Sequence, residues 1–164
     1  MKFTVHHTIN CSPQEFWALY LDPDFVTRLH LEGLGSTSAE VLEQTGAAGG
    51  AVQRRVRYGQ RPDMPGPVRK LFGEEVVTTE DGAFDPATGM WTFTLVPGTM
   101  ADKTTLGGSM HAEDGADGTT DLAFSLEAKV RIIGIGGVVE KFIERQARDS
   151  QDKTASYINA HLAG

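Results

Sequence analysis

Few residues of this chain have the types and spacing that catalysis or metal binding requires. The five histidines are His6, His7, His30, His111 and His161. His6 and His7 are adjacent in an alternating segment, so they point to opposite faces of a strand and cannot share a metal ion. His7 shares the apolar face of that segment and is the better acid–base candidate, and Tyr58 is the second. For His7, a hydrogen-bonded place in the core is the commoner outcome.

Motifs for covalent, metal or nucleotide chemistry are absent. The chain has no His-x-x-x-His, Cys-x-x-Cys or Gly-x-Ser-x-Gly sequence, and its one cysteine, Cys11, has no local activation signature. The glycines of Gly134-Ile-Gly-Gly137 open a helix but lack the full spacing of a dinucleotide loop, so we interpret them as a hinge. We therefore predict no cofactor and no metal.

A basic segment, residues 54–70, stands out in an acidic chain. It holds six cations opposed only by Asp63, and these are Arg54, Arg55, Arg57, Arg61, Arg69 and Lys70. Two interpretations compete. The arginines pair across strands with Glu40, Glu43, Glu74 or Glu75, which we prefer for Arg55 and Arg57. Alternatively, the segment is a surface for a partner protein.

The loop at residues 62–72 is a predicted lid. It contains three prolines, followed by apolar residues next to Arg69 and Lys70. An apolar edge beside cations is what contact with a membrane surface or an acidic ligand head requires. The predicted lid residues are Met64, Val68, Leu71 and Phe72.

Composition limits the class of protein. The chain has 164 residues, 40% of them hydrophobic, and a formal net charge of −7. This length is enough for one domain with a real core, and we predict a single domain over residues 1–164. The negative charge argues against nucleic acid as a partner. The single cysteine and the absence of an apolar leader in the first 20 residues predict a cytoplasmic location. The sequence carries no signal for the oligomeric state.

Alternating patterns and turn residues predict seven strands. We place them at residues 2–9 and at about 36–44, 51–59, 74–84, 89–96, 104–112 and 119–130. The breaks contain glycine, proline and aspartate, for example Asp85-Pro-Ala-Thr-Gly89. Short turns of this kind predict an antiparallel meander.

Three helices complete the pattern. Ser12-Pro-Gln-Glu15 predicts a capped helix start, and Asp22-Pro23 ends this helix and begins a second short one. A long helix follows the last strand, from near Val138 to Leu162. It has no parallel strand to cross over to, so it must pack on the open face of the sheet. The fold class is α+β.

This order of elements resembles the START-like superfamily of helix-grip folds, which includes lipid-transfer domains and polyketide cyclases. The resemblance rests on the opening strand Phe3–Ile9, on the Ser12–Pro23 segment and on the terminal helix. Within the superfamily the chain looks closest to an uncharacterised bacterial branch. The resemblance implies a seven-stranded antiparallel sheet wrapped around the long C-terminal helix, two short helices after the first strand, and a cavity between sheet and helix.

Apolar side chains on the inner strand faces and on the last helix would line such a cavity. Their alternative role is to fill an ordinary core. The predicted ligand-binding residues are Val56, Tyr58, Trp91, Phe93, Leu106, Met110, Phe124, Phe142, Ile143 and Gln146.

The middle of the last helix departs from an apolar stripe. Continuing from Phe142 and Ile143 at helical spacing, the stripe reaches Gln146, Ser150 and Thr154. We interpret Gln146 as facing a partly polar cavity. For Thr154 we expect the helix to overhang the sheet and meet water.

Three functions are consistent with the sequence. The first is binding or transport of an apolar small molecule of the lipid, polyketide or isoprenoid class, without catalysis. The second, implied by the resemblance, is a polyketide cyclase or aromatase in which His7 or Tyr58 transfers a proton. The third is a protein-interaction module that uses the basic segment.

Overall fold

Seven antiparallel strands form one sheet in the computed structural model, which describes residues 1–164. The strands are β1 (Lys2–Ile9), β2 (Ser38–Thr45), β3 (Val52–Gln60), β4 (Val76–Asp85), β5 (Met90–Pro97), β6 (Thr104–Asp114) and β7 (Thr120–Val130). Their order is β1-β7-β6-β5-β4-β3-β2, so β2 to β7 form a meander and β1 pairs with β7. All seven predicted strands are present, within about two residues at each end.

Two short helices follow β1. Helix α1 (Pro13–Tyr20) begins at Ser12, whose hydroxyl oxygen accepts a hydrogen bond from the Glu15 backbone N–H at 3.2 Å. The Glu15 carboxylate accepts from the same hydroxyl at 3.1 Å. Helix α2 (Pro23–Arg28) begins in the same way at Asp22, and a π-helical turn (Leu29–Gly33) continues it. Because a proline at the start of a helix has no N–H to leave unsatisfied, both sequence signals fix where the helices begin.

The long helix α4 (Gly136–Ala163) packs across β7 and β1. Its 28 residues make it about 42 Å long at 1.5 Å per residue. It begins two residues before the predicted start. None of the helices is long and apolar enough to cross a membrane.

A fourth helix, α3 (Gly66–Phe72), lies within the region that the sequence suggested was a loop. Pro67 lies in its first turn, where proline is tolerated. Val68 and Phe72 are four residues apart, so they fall on one helical face.

Two groups of buried side chains form the core. The larger lies between α1, the end of α4 and the inner face of the sheet, and includes Phe16, Trp17, Trp91 and Ile158. The smaller lies at α3 and the start of α4, and its members are Met64, Val68, Phe72, Val130, Val139 and Phe142. Residues from both groups line a cavity between the sheet and α4.

Candidate ligand-binding cavity

The cavity has a volume of about 200 Å³ and lies between the inner face of the sheet and α4. Its walls are formed by 27 residues, 16 of them hydrophobic. The inner faces of β4, β5, β6 and β7 supply one side, and α4 supplies the other. Cavities with this balance of apolar wall and few polar groups are the usual small-molecule sites of proteins.

Eight of the ten predicted ligand-binding residues lie on the cavity wall. These are Tyr58, Phe93, Leu106, Met110, Phe124, Phe142, Ile143 and Gln146. The residues of β5, β6 and β7 among them reach it because strand side chains alternate, so every second residue of these strands faces α4, which supplies Phe142, Ile143 and Gln146.

Val56 and Trp91, the other two predicted ligand-binding residues, do not line the cavity. Both are buried in the packed core, with 1% of Val56 and 0% of Trp91 exposed. The Trp91 indole lies over the backbone of β4 at Gly82, where a Cβ atom would come within 1.9 Å of Trp91 Cζ2. Tyr20 of α1 packs edge-on against it, with ring centroids 6.0 Å apart. Helix α1 therefore covers this part of the concave face and leaves no space for a ligand.

The polar middle of α4 faces the cavity. Gln146, Ser150, Gln151 and Thr154 all contribute to the wall. Thr154 is only 4% exposed, so the expectation that it overhangs the sheet is wrong. The reason lies in the packing of α4, which continues past Thr154 with Ala155 and Ile158 in the larger core group. The interruption of the apolar stripe marks the cavity and not the end of the sheet.

A polar corner of the cavity, made of Tyr20, His30, Tyr58 and Glu80, joins four elements. Glu80 on β4 lies opposite Val56 of β3, and Tyr58 lies two residues further along β3 on the same face. His30 comes from the π-helical turn and stacks on Tyr58, with ring centroids 4.4 Å apart and an interplanar angle of 25°.

Arg54 lies behind this corner. Its guanidinium is buried, with 3% of the residue exposed, and is within 4.9 Å of the Trp91 ring centroid and 5.1 Å of that of Tyr20. Nη1 donates a hydrogen bond to the Tyr20 carbonyl at 2.6 Å, while Nε and Nη2 have no partner. Arg54 is thus a buried positive charge next to the cavity and not part of a surface.

Burial and the charge of Arg54 shift the pKa values of ionisable side chains in the polar corner. Burial raises the pKa of the Glu80 carboxyl, and the charge of Arg54 opposes this rise. The same two causes lower the pKa of His30 to about 4, so its ring is neutral at neutral pH. Burial and the nearby Glu80 also raise the pKa of Tyr58, so the phenol stays protonated. The corner offers neutral hydrogen-bonding groups around one carboxyl.

The two acid–base candidates from the sequence are separated. Tyr58 lines the cavity, whereas His7 does not. His7 Nε2 lies 2.7 Å from Asp152 Oδ1 of α4, at the edge strand β1, so His7 is not positioned to act on a cavity ligand. No group of three or more His, Cys, Asp or Glu side chains is arranged to hold a metal ion.

The sequence contained a signal for Arg54 and Glu80 that the prediction did not use. Arg54 falls in the same alternation as Val52 and Val56, which places it on the inner face of β3. Glu80 falls in the alternation that brings Phe84 to the inner face of β4. A charged residue in phase with buried ones indicates a polar site inside the fold.

Most of the remaining basic segment is paired. Arg57 lies 3.0 Å from Glu40, as one of the predicted cross-strand pairs, and Arg55 lies 2.6 Å from Asp81. Arg61 lies 3.4 Å from Glu75. With Arg54 buried, this surface presents fewer free cations than its composition suggests.

The lid residues pack inward. Met64, Val68 and Phe72 are buried against the start of α4, and Leu71 packs partly against the same group. Only Phe72 among them reaches the cavity wall. The outward side of α3 carries Arg69 and Lys70. The apolar edge that the sequence suggested for membrane contact is therefore turned into the protein.

This sheet, closed by α1 and gripped by α4, defines a helix-grip fold. Three solved structures share it over nearly their whole length: an aromatase/cyclase of a Streptomyces species, a Thermus thermophilus protein and a START superfamily protein of Mycobacterium smegmatis. Their TM-scores are 0.69, 0.68 and 0.64, at 16%, 17% and 12% sequence identity. The alignments cover 99% of this chain in each case, and 96%, 97% and 97% of the other chains.

The chain belongs to the family described as "Protein of unknown function (DUF2505)", which matches residues 4–162. A family of unknown function is consistent with the uncharacterised branch that the sequence resemblance indicated. No curated protein matches the chain by sequence.

Proposed function

We propose that this protein binds an apolar small molecule of the lipid, polyketide or isoprenoid class in the cavity between the sheet and α4. The supporting observation is the cavity itself. A core without a ligand role would be expected to pack closed, since each methyl-sized void costs about 1 kcal/mol. Here Leu95, Leu106 and Ile143 are only partly buried, although they line the interior.

The energetics favour such a ligand. Removing apolar surface from water contributes roughly 25 cal/mol per Å². A ligand that buries about 200 Å² of apolar surface therefore gains about 5 kcal/mol, before the cost of ordering it is subtracted. The polar corner then fixes the orientation of the ligand.

Titration with N-phenyl-1-naphthylamine, a neutral apolar fluorophore, tests the proposal. We expect saturable binding to the wild-type protein and about tenfold weaker binding to Leu106→Phe, which fills the cavity. Val96→Phe is the matched control, because Val96 lies on a neighbouring strand and is 46% exposed. Absence of saturable binding, or equal weakening by both substitutions, would contradict the proposal. Native mass spectrometry after mild extraction provides a second test, through a co-purified mass of lipid size.

A cyclase or aromatase activity is the second candidate. The aromatase/cyclase with a similar fold suggests it, and so do the ionisable Glu80 and His30 on the cavity wall. We expect Glu80→Gln or His30→Gln to remove turnover of a poly-β-ketone substrate analogue while keeping fluorophore binding. His7→Ala should leave such turnover unchanged, because His7 lies outside the cavity. A loss of turnover in His7→Ala with both cavity variants active would contradict this assignment.

A further inference from the structure

The cavity contains one carboxyl group that no part of the protein satisfies. The pKa of Glu80 is shifted by burial and by charges on Arg54 and Asp81, without a contribution from any hydrogen bond. No Lys, Arg or His nitrogen lies within ion-pair distance of it, because Glu80 forms none of the salt bridges of the protein. Glu80 is half-buried on the cavity wall, and polar groups inside a protein are normally hydrogen-bonded, so this carboxyl is free to accept a hydrogen bond from a ligand.

His30 gives an independent indication at the same place. The residue is 8% exposed, and its Nδ1 has no hydrogen-bond partner. It lines the same cavity as Glu80. An unpartnered imidazole nitrogen accepts or donates one hydrogen bond, depending on its tautomer. The corner therefore offers a carboxyl group that accepts hydrogen bonds and an imidazole nitrogen that either donates or accepts one.

Charge selects the kind of donor. Arg54 already places a positive charge beside the corner, and this charge together with burial keeps His30 neutral. A ligand ammonium would be attracted by an ionised Glu80, but it would meet the repulsion of Arg54 and the same desolvation cost. A ligand carboxylate would lie next to the Glu80 carboxyl, which is unfavourable for two like charges. A neutral hydroxyl avoids both costs, since it donates one hydrogen bond and accepts another.

We propose that the ligand of this cavity is an apolar alcohol or phenol, whose hydroxyl group donates to Glu80 and lies within reach of His30. This inference rests on the proposed function and names its ligand class. The hydrocarbon body lies against the apolar wall formed by Leu95, Leu106 and Phe124. Its hydroxyl completes the hydrogen bonding that the folded chain leaves open at Glu80.

Three ligands with the same chain test the ligand class. 1-Decanol, decanoate and decylammonium displace bound N-phenyl-1-naphthylamine at pH 7.5, each below its micelle concentration. We expect decanol to displace the fluorophore at about tenfold lower concentration than either charged ligand. In Glu80→Gln the ratio of decanol to decanoate should fall below about threefold, because the amide both donates and accepts. Glu75→Gln is the matched control and should keep the wild-type ranking, since Glu75 is exposed and paired with Arg61.

The outcomes separate this inference from the proposed function. If the fluorophore binds but the three ligands displace it equally, or a charged ligand is preferred, the inference is wrong and apolar binding stands. The same holds if Glu80→Gln keeps the full preference for decanol. If neither the fluorophore nor any decyl ligand binds, the proposed function fails and the inference fails with it. Circular dichroism checks that the variants fold. If Glu80→Gln does not fold, the ranking of the three decyl ligands on the wild-type protein decides the ligand class alone.

Discussion

Protonation of His30 should destabilise the fold in mildly acidic solution. The ring is buried beside Arg54 and Tyr58, and its pKa is lowered from 6.5 to about 4. Between these two values the unfolded chain binds a proton that the folded protein does not. The contribution of His30 to the free energy of unfolding is therefore constant above about pH 6.5, and the free energy falls as the pH is lowered toward 4.

The magnitude follows from the size of the shift. Lowering the pKa of His30 from 6.5 to about 4 corresponds to a total of about 3 kcal/mol. At pH 5, with the unfolded chain almost fully protonated at this site, the loss is about 2 kcal/mol relative to pH 7.5. A loss of this size is a large fraction of the 5–15 kcal/mol by which domains are typically stable.

Urea unfolding at pH 5.0, 6.0, 6.5 and 7.5 measures the effect. We compare wild type, His30→Gln and the control His6→Gln, in which the altered side chain is exposed on β1. Wild type and His6→Gln should lose about 2 kcal/mol more than His30→Gln between pH 7.5 and pH 5. Groups present in all three proteins contribute equally and cancel in the comparison.

Profiles of wild type and His30→Gln that run parallel within about 0.5 kcal/mol, a typical limit for independent surface changes, would refute the reasoning. They would show that the His30 ring accepts a proton in the folded state. An NMR titration of the His30 ring gives the folded-state pKa directly and separates this cause from a change in the unfolded chain.

Three further predictions concern the cavity wall and the lid. Glu80→Gln should raise the free energy of unfolding at pH 7.5, because desolvation in the folded protein raises the pKa of this carboxyl above its ordinary value of 4.5 and penalises its ionised form, and the gain should vanish below about pH 4.5. Gly82→Ala should destabilise by about 1–3 kcal/mol, because the new methyl group overlaps the Trp91 ring. Phe72→Ala should cost about 3–5 kcal/mol and speed the entry of N-phenyl-1-naphthylamine, since Phe72 joins the lid to the cavity wall. Urea unfolding checks all three, and stopped-flow fluorescence checks entry.

Each of these predictions has its own control. A gain in Glu80→Gln that persists at pH 4 would mean that ionisation is not its cause. For Gly82, the control is Gly137→Ala, which meets no atom within 4 Å at the start of α4 and should be neutral or stabilising. For the lid, Lys70→Ala alters the outer side of α3, and equal entry rates in Lys70→Ala and Phe72→Ala would contradict a gating role for the inward face.

The elements of the fold could be predicted because their signals are local. Strand alternation, the Ser12 and Asp22 caps and the long last helix each depend on residues close together in the chain. The sequence predicts a loop where the structure has α3, although Pro67 and the four-residue spacing of Val68 and Phe72 carry a weak helical signal. A seven-residue helix is too short for its periodicity to stand out from a loop.

For the candidate site, the sequence predicts only which side chains lie on the inner face of the sheet. Alternation identifies which side chains of β5, β6 and β7 point inward, and these residues do line the cavity. It does not identify which part of that face another element fills. Trp91 and Phe93 have the same phase on β5, yet α1 covers Trp91 while Phe93 reaches the cavity.

The sequence by itself determined the strand order along the chain, the capped helices, the closing helix and the apolar inner face. Only the tertiary structure decided that Arg54 is a buried charge, that Thr154 faces a cavity and that Glu80, Tyr58 and His30 meet in one corner. Local patterns report the preferences of neighbouring residues, whereas burial and charge inside a protein depend on segments far apart in the chain. Those segments come together only when the sheet closes around α4.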